Sequence, residues 1–220
     1  MAQTQDKVMQ DIMLHPTYFG TLTQLALCAQ YPEAIVWEIH DNYQKQTFRN
    51  RCYIATNQGS LLLSIPIQHA KGARQRTKEV RSEPSEKWNE LHWKSIVTAY
   101  RSSPFFEFYE DDLHPFFECG DVSLLEHSRK SISFMLKALQ LSGELRTTSS
   151  YEVTPNEKVV DLRGLVNAKT KNKIVLTPYP QVFDSVCGFI GGISPLDLLF
   201  NVGPKEARSY LEQIDLSALF

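Results

Sequence analysis

The sequence predicts an α/β fold that opens with a Rossmann-like βαβ unit, and three observations carry that prediction. A short apolar run, Asp11–Leu14 with Val8 and Met9 before it, stops at His15-Pro16 and reads as a strand. Phe19, Leu22, Leu25, Ala26 and Ala29 follow at helical spacing. Ala34, Ile35, Val36, Trp37, Glu38 and Ile39 then read as a second strand. Strand, helix and strand in this order give parallel strands joined by a right-handed crossover.

The remaining elements extend this unit. Cys52 to Thr56 and Leu61 to Ile67 flank Asn57-Gln58-Gly59-Ser60, which predicts a β-hairpin turning at Gly59. Between His69 and Arg81, five basic residues (Lys71, Arg74, Arg76, Lys78 and Arg81) face a single acid, Glu79, without apolar periodicity, which predicts a mobile basic loop. Ser85 offers a helix cap. Trp88, Leu91, His92, Ser95, Ile96, Ala99 and Tyr100 then share one helical face, which puts His92 on a buried stripe. A second helix over 123–141 carries Leu125, Ser128, Ile132, Met135, Leu136 and Leu139, with Gly143 as its stop. Residues 146–153, 158–162 and 172–177 are strand candidates. Pro178 and Pro180 hold their segment extended, and Ser194-Pro195-Leu196-Asp197 starts a helix that Gly203-Pro204 interrupts before a last one over 205–213. The expected whole is a single compact domain over 1–220, with a mixed sheet, a hairpin and a helical middle section, and residues 1–12 partly flexible.

Composition narrows the function. The 220 residues are 42% hydrophobic and 11% aromatic, enough for a full core. A net charge of -2 removes the broad electrostatic case for nucleic acid. The first residues lack an apolar signal core and no run approaches the roughly 18 apolar residues of a membrane helix, so a cytoplasmic protein without membrane insertion is expected. Cys28, Cys52, Cys119 and Cys187 form no Cys-x-x-Cys pair, and neither a Gly-rich phosphate loop nor a metal-ligand spacing is present. No metal site is expected.

The most informative stretch is Asn42-Tyr43-Gln44-Lys45-Gln46-Thr47-Phe48-Arg49-Asn50-Arg51, which holds three cations, four amides and no acid. Guanidinium groups grip phosphate or carboxylate through paired donors, and Gln and Asn offer both donor and acceptor. Lys45, Arg49 and Arg51 are candidates for an anionic substrate, with Asn42, Gln44 and Asn50 orienting it. The plainer reading is a basic surface hairpin. Asp41 and Glu38 are the nearest carboxylates, and Asp41 is suited either to act as a base or to orient Arg49 or Arg51. His15 stands at the end of the first strand, where α/β sheets place ligands, and Tyr18 opens the following helix, so both are candidates, His15 for proton transfer. His92 is the second candidate base, set against a core histidine packed by Trp, Leu and Ile. Tyr100 and Arg101 end its helix and complete the set, Arg101 being equally suited to a salt bridge with residues 110–112.

The stretch, continued by Cys52-Tyr53-Ile54, resembles the signature of the WbqC-like family. His15-Pro16-Thr17-Tyr18-Phe19 resembles that family's opening motif, and the segments around His92 and Tyr100, Tyr179-Pro180-Gln181-Val182-Phe183 and Asp197 to Asn201 are similar to family segments. Gly20 departs from the pattern, where a proline is expected. The resemblance implies a role in bacterial surface polysaccharide (O-antigen) synthesis, with a transferase that moves an amino acid such as glycine to a sugar intermediate. The alternative is a non-catalytic protein of the same pathway that binds a nucleotide sugar or one of the polysaccharide-synthesis enzymes. The turn at His15 also resembles the strand-to-helix turn of adenylate-forming synthetase folds, whose second histidine is replaced here by Tyr18 and Phe19. That likeness makes ATP with magnesium the candidate cofactor.

Overall fold

A computed structural model describes residues 10–68, 74–143, 145–169 and 174–220. Its centre is a parallel three-stranded sheet. Strand β1 (Asp11–Leu14) lies between β2 (Ile35–Trp37) and β5 (Val159–Asp161), pairing Ile12 with Ile35, Leu14 with Trp37 and Met13 with Asp161. The first two strands and helix α1 (Leu22–Gln30) form the expected βαβ unit. Ile12, Met13 and Leu14 are buried as a continuous run, the pattern of a strand covered on both faces.

The turn from β1 into α1 explains Gly20. Its φ of +77° is closed to proline, whose ring fixes φ near -65°. Thr21 caps α1 by accepting from the Gln24 amide at 3.2 Å. Leu22, Leu25, Ala26 and Leu27 are buried, and α1 packs on α6 (Pro195–Gln213). Gln30 Nε2 ties the two together by donating to the Leu211 and Ile214 carbonyls, both at 2.9 Å.

The hairpin is present as β3 (Arg51–Thr56) and β4 (Gly59–Ser64), in a two-stranded sheet separate from the parallel one. Gly59 sits at φ +99°. Its docking includes Ser194 N donating to the Tyr53 carbonyl at 2.7 Å and Ala55 N donating to the Tyr100 hydroxyl at 3.2 Å.

Helix α2 (Trp88–Tyr100) buries Trp88, His92, Ile96, Ala99 and Tyr100, as its periodicity predicts. Two details differ. Ser85 Oγ bonds to Glu83 at 2.9 Å instead of capping the helix, which begins after Lys87. Leu91 lies off the stripe and is 63% exposed. After the four-residue α3 (Glu110–Leu113), helix α4 (Leu124–Ala138) is capped by Ser123 and buries the predicted Leu125, Ser128, Ile132, Met135 and Leu136. The four-residue α5 (Asp184–Cys187) precedes α6, which starts at the Ser194 cap and breaks at Gly203 (φ +79°, ψ 172°) before Pro204.

Two strand expectations fail. Of residues 146–153, Thr147 alone bridges to the sheet, at Trp37, where the strand it pairs with ends. Residues 174–177 are irregular, and 172–173 lie outside the described residues, as do Val8, Met9 and most of the 1–12 segment. Residues 69–73 of the basic loop are also outside them. The part that follows is anchored: Arg76 bridges to Asn42, and Thr77–Glu79 form a 3-10 turn whose Thr77 is buried. One hydrophobic core joins Leu14 and Trp37 of the sheet to α1, α2, α4 and α6.

Candidate functional site

The carboxyl ends of the three parallel strands bring together side chains far apart in sequence. His15 follows β1, Glu38 follows β2, and Asp161 ends β5 with Arg163 two residues on. In open α/β sheets this edge is where ligands bind, above all where successive strands depart to opposite sides of a central one, as β2 and β5 do here.

His15 is buried between two acceptors. Nδ1 lies 3.3 Å from the Glu38 carbonyl and Nε2 lies 3.5 Å from Asp41 Oδ2. Burial first, and the Arg49 cation second, lower its pKa to about 4, against the raising influence of Asp41. The ring is therefore neutral at neutral pH, so one of its nitrogens keeps a lone pair.

Asp41 is the hub. Oδ2 accepts from Arg49 at 2.7 Å, and Oδ1 accepts from the Thr77 hydroxyl at 2.8 Å. Arg49 also donates to Thr77 Oγ1 at 3.0 Å, and its own Nε is buried without a partner. Arg49 is 2% exposed. The basic stretch thus divides: Thr47, Arg49 and Asn50 are buried, whereas Asn42, Gln44, Lys45 and Gln46 are exposed and Arg51 is half-buried. Asn50 Nδ2 donates to the Ile65 carbonyl at 2.8 Å, fixing the stretch to the end of the hairpin.

Across the strand ends, Arg163 grips Asp161 through Nε and Nη2 at 2.8 and 2.7 Å and also donates to the Glu152 and Val153 carbonyls. That hydrogen bonding lowers the Asp161 pKa. Glu38 accepts from the His40 amide at 2.6 Å, while its Oε2 is buried and unpartnered.

His92 lies in a different surrounding. Its Nδ1 is 3.1 Å from the Tyr18 hydroxyl, and the rings of Tyr18, Trp88, His92 and His127 pack together at centroid separations of 5.3–5.8 Å. Burial lowers the pKa of both His92 and His127 to about 4. Tyr18 therefore contacts His92, and His15 contacts the Asp41–Arg49 pair. Tyr100 is fully buried, accepting from Ala55 N, and Arg101 pairs with Glu110 at 2.7 Å on the surface.

Residues that the sequence reading passed over include Thr77, His127, Asp161 and Arg163. Asp161 and Arg163 had a signal, since polar residues ending an apolar β-run occupy the same edge as His15. Thr77 and His127 had none, because only folding brings them near Asp41 and Tyr18. Gln181 is a further omission. Its amide clamps Ile190, accepting from N at 2.8 Å and donating to O at 3.1 Å, and it donates to buried Asp197 at 2.8 Å. Burial raises the Asp197 pKa, with the Gln181 amide opposing.

Gly191, next to the clamped Ile190, lines a groove of about 600 Å³ together with Thr21, Phe48, Tyr53, Asn167, Gly192 and leucines. Among the described residues no cluster of His, Cys, Asp or Glu is arranged to hold a metal ion, and no helix is long and apolar enough to cross a membrane.

The chain is 27% identical over 197 residues to "Uncharacterized protein Rv1507c" of Mycobacterium tuberculosis (strain ATCC 25618 / H37Rv), an alignment covering 77% of this chain and 83% of that protein. No solved structure matches it. The model of the WbqC-like protein family matches residues 16–174, which contain the basic stretch, Asp41, His92 and Tyr100. The chain belongs to the WbqC-like protein family.

Proposed function

We propose that the protein is a cytoplasmic transferase of surface polysaccharide synthesis that moves an amino acyl or related group onto a sugar intermediate. The observation that carries this reading is the convergence of His15, at the end of the central strand, with Asp41 and Arg49. A sugar amine or hydroxyl attacking an activated carbonyl loses a proton as the new bond forms. With Nε2–H directed to Asp41, the lone pair of the neutral His15 ring is on Nδ1, so the attacking group delivers its proton there by displacing the Glu38 carbonyl 3.3 Å away, and the Asp41 carboxylate stabilises the resulting imidazolium. Arg49 fixes Asp41, while exposed Lys45 and half-buried Arg51 provide cations for an anionic donor, with Asn42 and Gln44 beside them. ATP with magnesium fits this reading as the means of activating the amino acid.

A second reading, a non-catalytic binding protein, is favoured by the closure of the Asp41–Arg49–Thr77 network, which satisfies Asp41 without any ligand. His15→Gln separates the two. A transferase loses at least about 100-fold in turnover, the usual contribution of a general base, while ligand-induced thermal shifts persist. The assay pairs ATP, amino acids and nucleotide sugars, with and without magnesium. Ligand stabilisation by a nucleotide sugar with no turnover in the unsubstituted protein supports the binding protein instead.

A further inference from the structure

The groove of about 600 Å³ is separate from the Asp41 network and has the chemistry of a particular ligand class. Its volume falls within the range of small-molecule sites. Among the described residues none of its lining side chains is charged, so the part of a ligand that lies against them is neutral. Phe48 and Tyr53 meet edge to face, at an interplanar angle of 74°, rather than stacking on one another. The peptide groups of Gly191 and Gly192 have no hydrogen-bond partner among the described residues, and Asn167 adds the Nδ2 donor of its side chain, its Oδ1 accepting from Lys169 N at 2.9 Å.

Three neutral ligand types can be weighed against that lining. An alkyl chain would bury the glycine peptide groups and the Asn167 Nδ2 donor without replacing their water, leaving those bonds unmade. A hexose carries hydroxyls around its whole rim, and although Ser60 and Tyr53 add hydroxyls to the lining, Leu22, Leu162, Leu165 and Leu176 leave part of that rim unmet. A heteroaromatic base presents apolar faces to leucine and aromatic rings and concentrates its donors and acceptors along one edge, where peptide groups and an amide can meet them. The wall is also held ready: Gln181 clamps Ile190, and Ser194 N bonds to the Tyr53 carbonyl on the neighbouring strand.

We infer that this groove binds a nucleoside. This deepens the transferase reading by identifying the nucleoside as part of its activated substrate. The site lies beside Thr21, where the chain enters the helix following the central strand, on the side of the sheet that α/β folds use for ligands.

Isothermal titration of the full chain with adenosine, guanosine, cytidine, uridine and thymidine, and with glucose as comparator, tests the inference. One or more nucleosides should saturate a single site, and glucose should not. Filling the groove with Ala168→Leu and Ala218→Leu together should weaken that nucleoside at least tenfold, whereas Thr98→Leu on the exposed face of α2 should leave it unchanged. Melting temperature and circular dichroism check that the filled variant folds. Failure of every nucleoside to saturate, equal binding by the filled variant, or saturation by glucose instead would overturn the inference. Nucleoside binding with no turnover in any assay would leave this site standing and remove the transferase reading.

Discussion

Arg49 shows how one residue's environment changes the expected effect of its substitution. The composition of its segment suggests a surface cation whose loss would spare the fold. Its burial against Asp41 and Thr77 means that Arg49→Ala would leave a carboxylate in the interior with its main counter-ion gone. Breaking a buried pair from one side costs about 3–5 kcal/mol, so urea denaturation should register a loss of that size for Arg49→Ala and for Asp41→Asn. The double variant should lose less than the sum of the two. The buried histidines set a second residue-scale expectation. His15, His92 and His127 each have a folded-state pKa lowered from 6.5 to about 4, so between those values the unfolded chain binds protons that the folded chain does not. Stability should therefore be fully present above about pH 6.5 and fall as pH drops towards 4, with a slope of up to about 1.4 kcal/mol per pH unit for each histidine. His127 Nε2 has no hydrogen-bond partner and its ring packs on Tyr18, Trp88 and Phe116, so His127→Phe should flatten this acid dependence. An unchanged pH profile of melting temperature in that variant would exclude His127 from it.

At the scale of elements, the break in α6 offers the sharpest expectation. Gly203 holds a backbone conformation that side chains disfavour, and a Cβ there would meet the Phe105 ring at 2.6 Å. Gly203→Ala should cost about 2–3 kcal/mol from backbone strain and the clash together. Adding Phe105→Leu should recover part of that loss, the strain remaining. This break was readable in advance from Gly203-Pro204, as were the Ser194 cap, the βαβ unit and the buried stripe of α2, because each depends on local spacing. Leu91 was misplaced because a seven-residue stripe is wider than the face that α2 buries. The strand expected over 146–153 shrank to a bridge at Thr147, since β-rich composition cannot specify how much sheet edge is available. In the site, His15 and Asp41 were visible as candidates, but their meeting was not. The union depends on Asp41 folding back over the end of β1, and no periodicity encodes that.

For the whole molecule, a single core spans the parallel sheet and the helical section, and the three tryptophans sample both. Trp37 belongs to β2, and Trp88 and Trp93 belong to α2. Variants retaining one tryptophan at a time, the others replaced by phenylalanine, should share one urea midpoint within each variant by fluorescence and by far-ultraviolet circular dichroism. Earlier loss of the Trp37 signal would instead divide the chain into two units. The short parallel sheet has another consequence, for synthesis. Its central strand, β1, acquires one neighbour almost at once, but its other neighbour, β5, follows only after most of the chain has been made. At about 5–20 residues per second on the ribosome, one edge of β1 waits roughly 7–30 s for its partner. A strand of only four residues offers little to a wrong partner during that interval, so its brevity protects the nascent chain from mispairing.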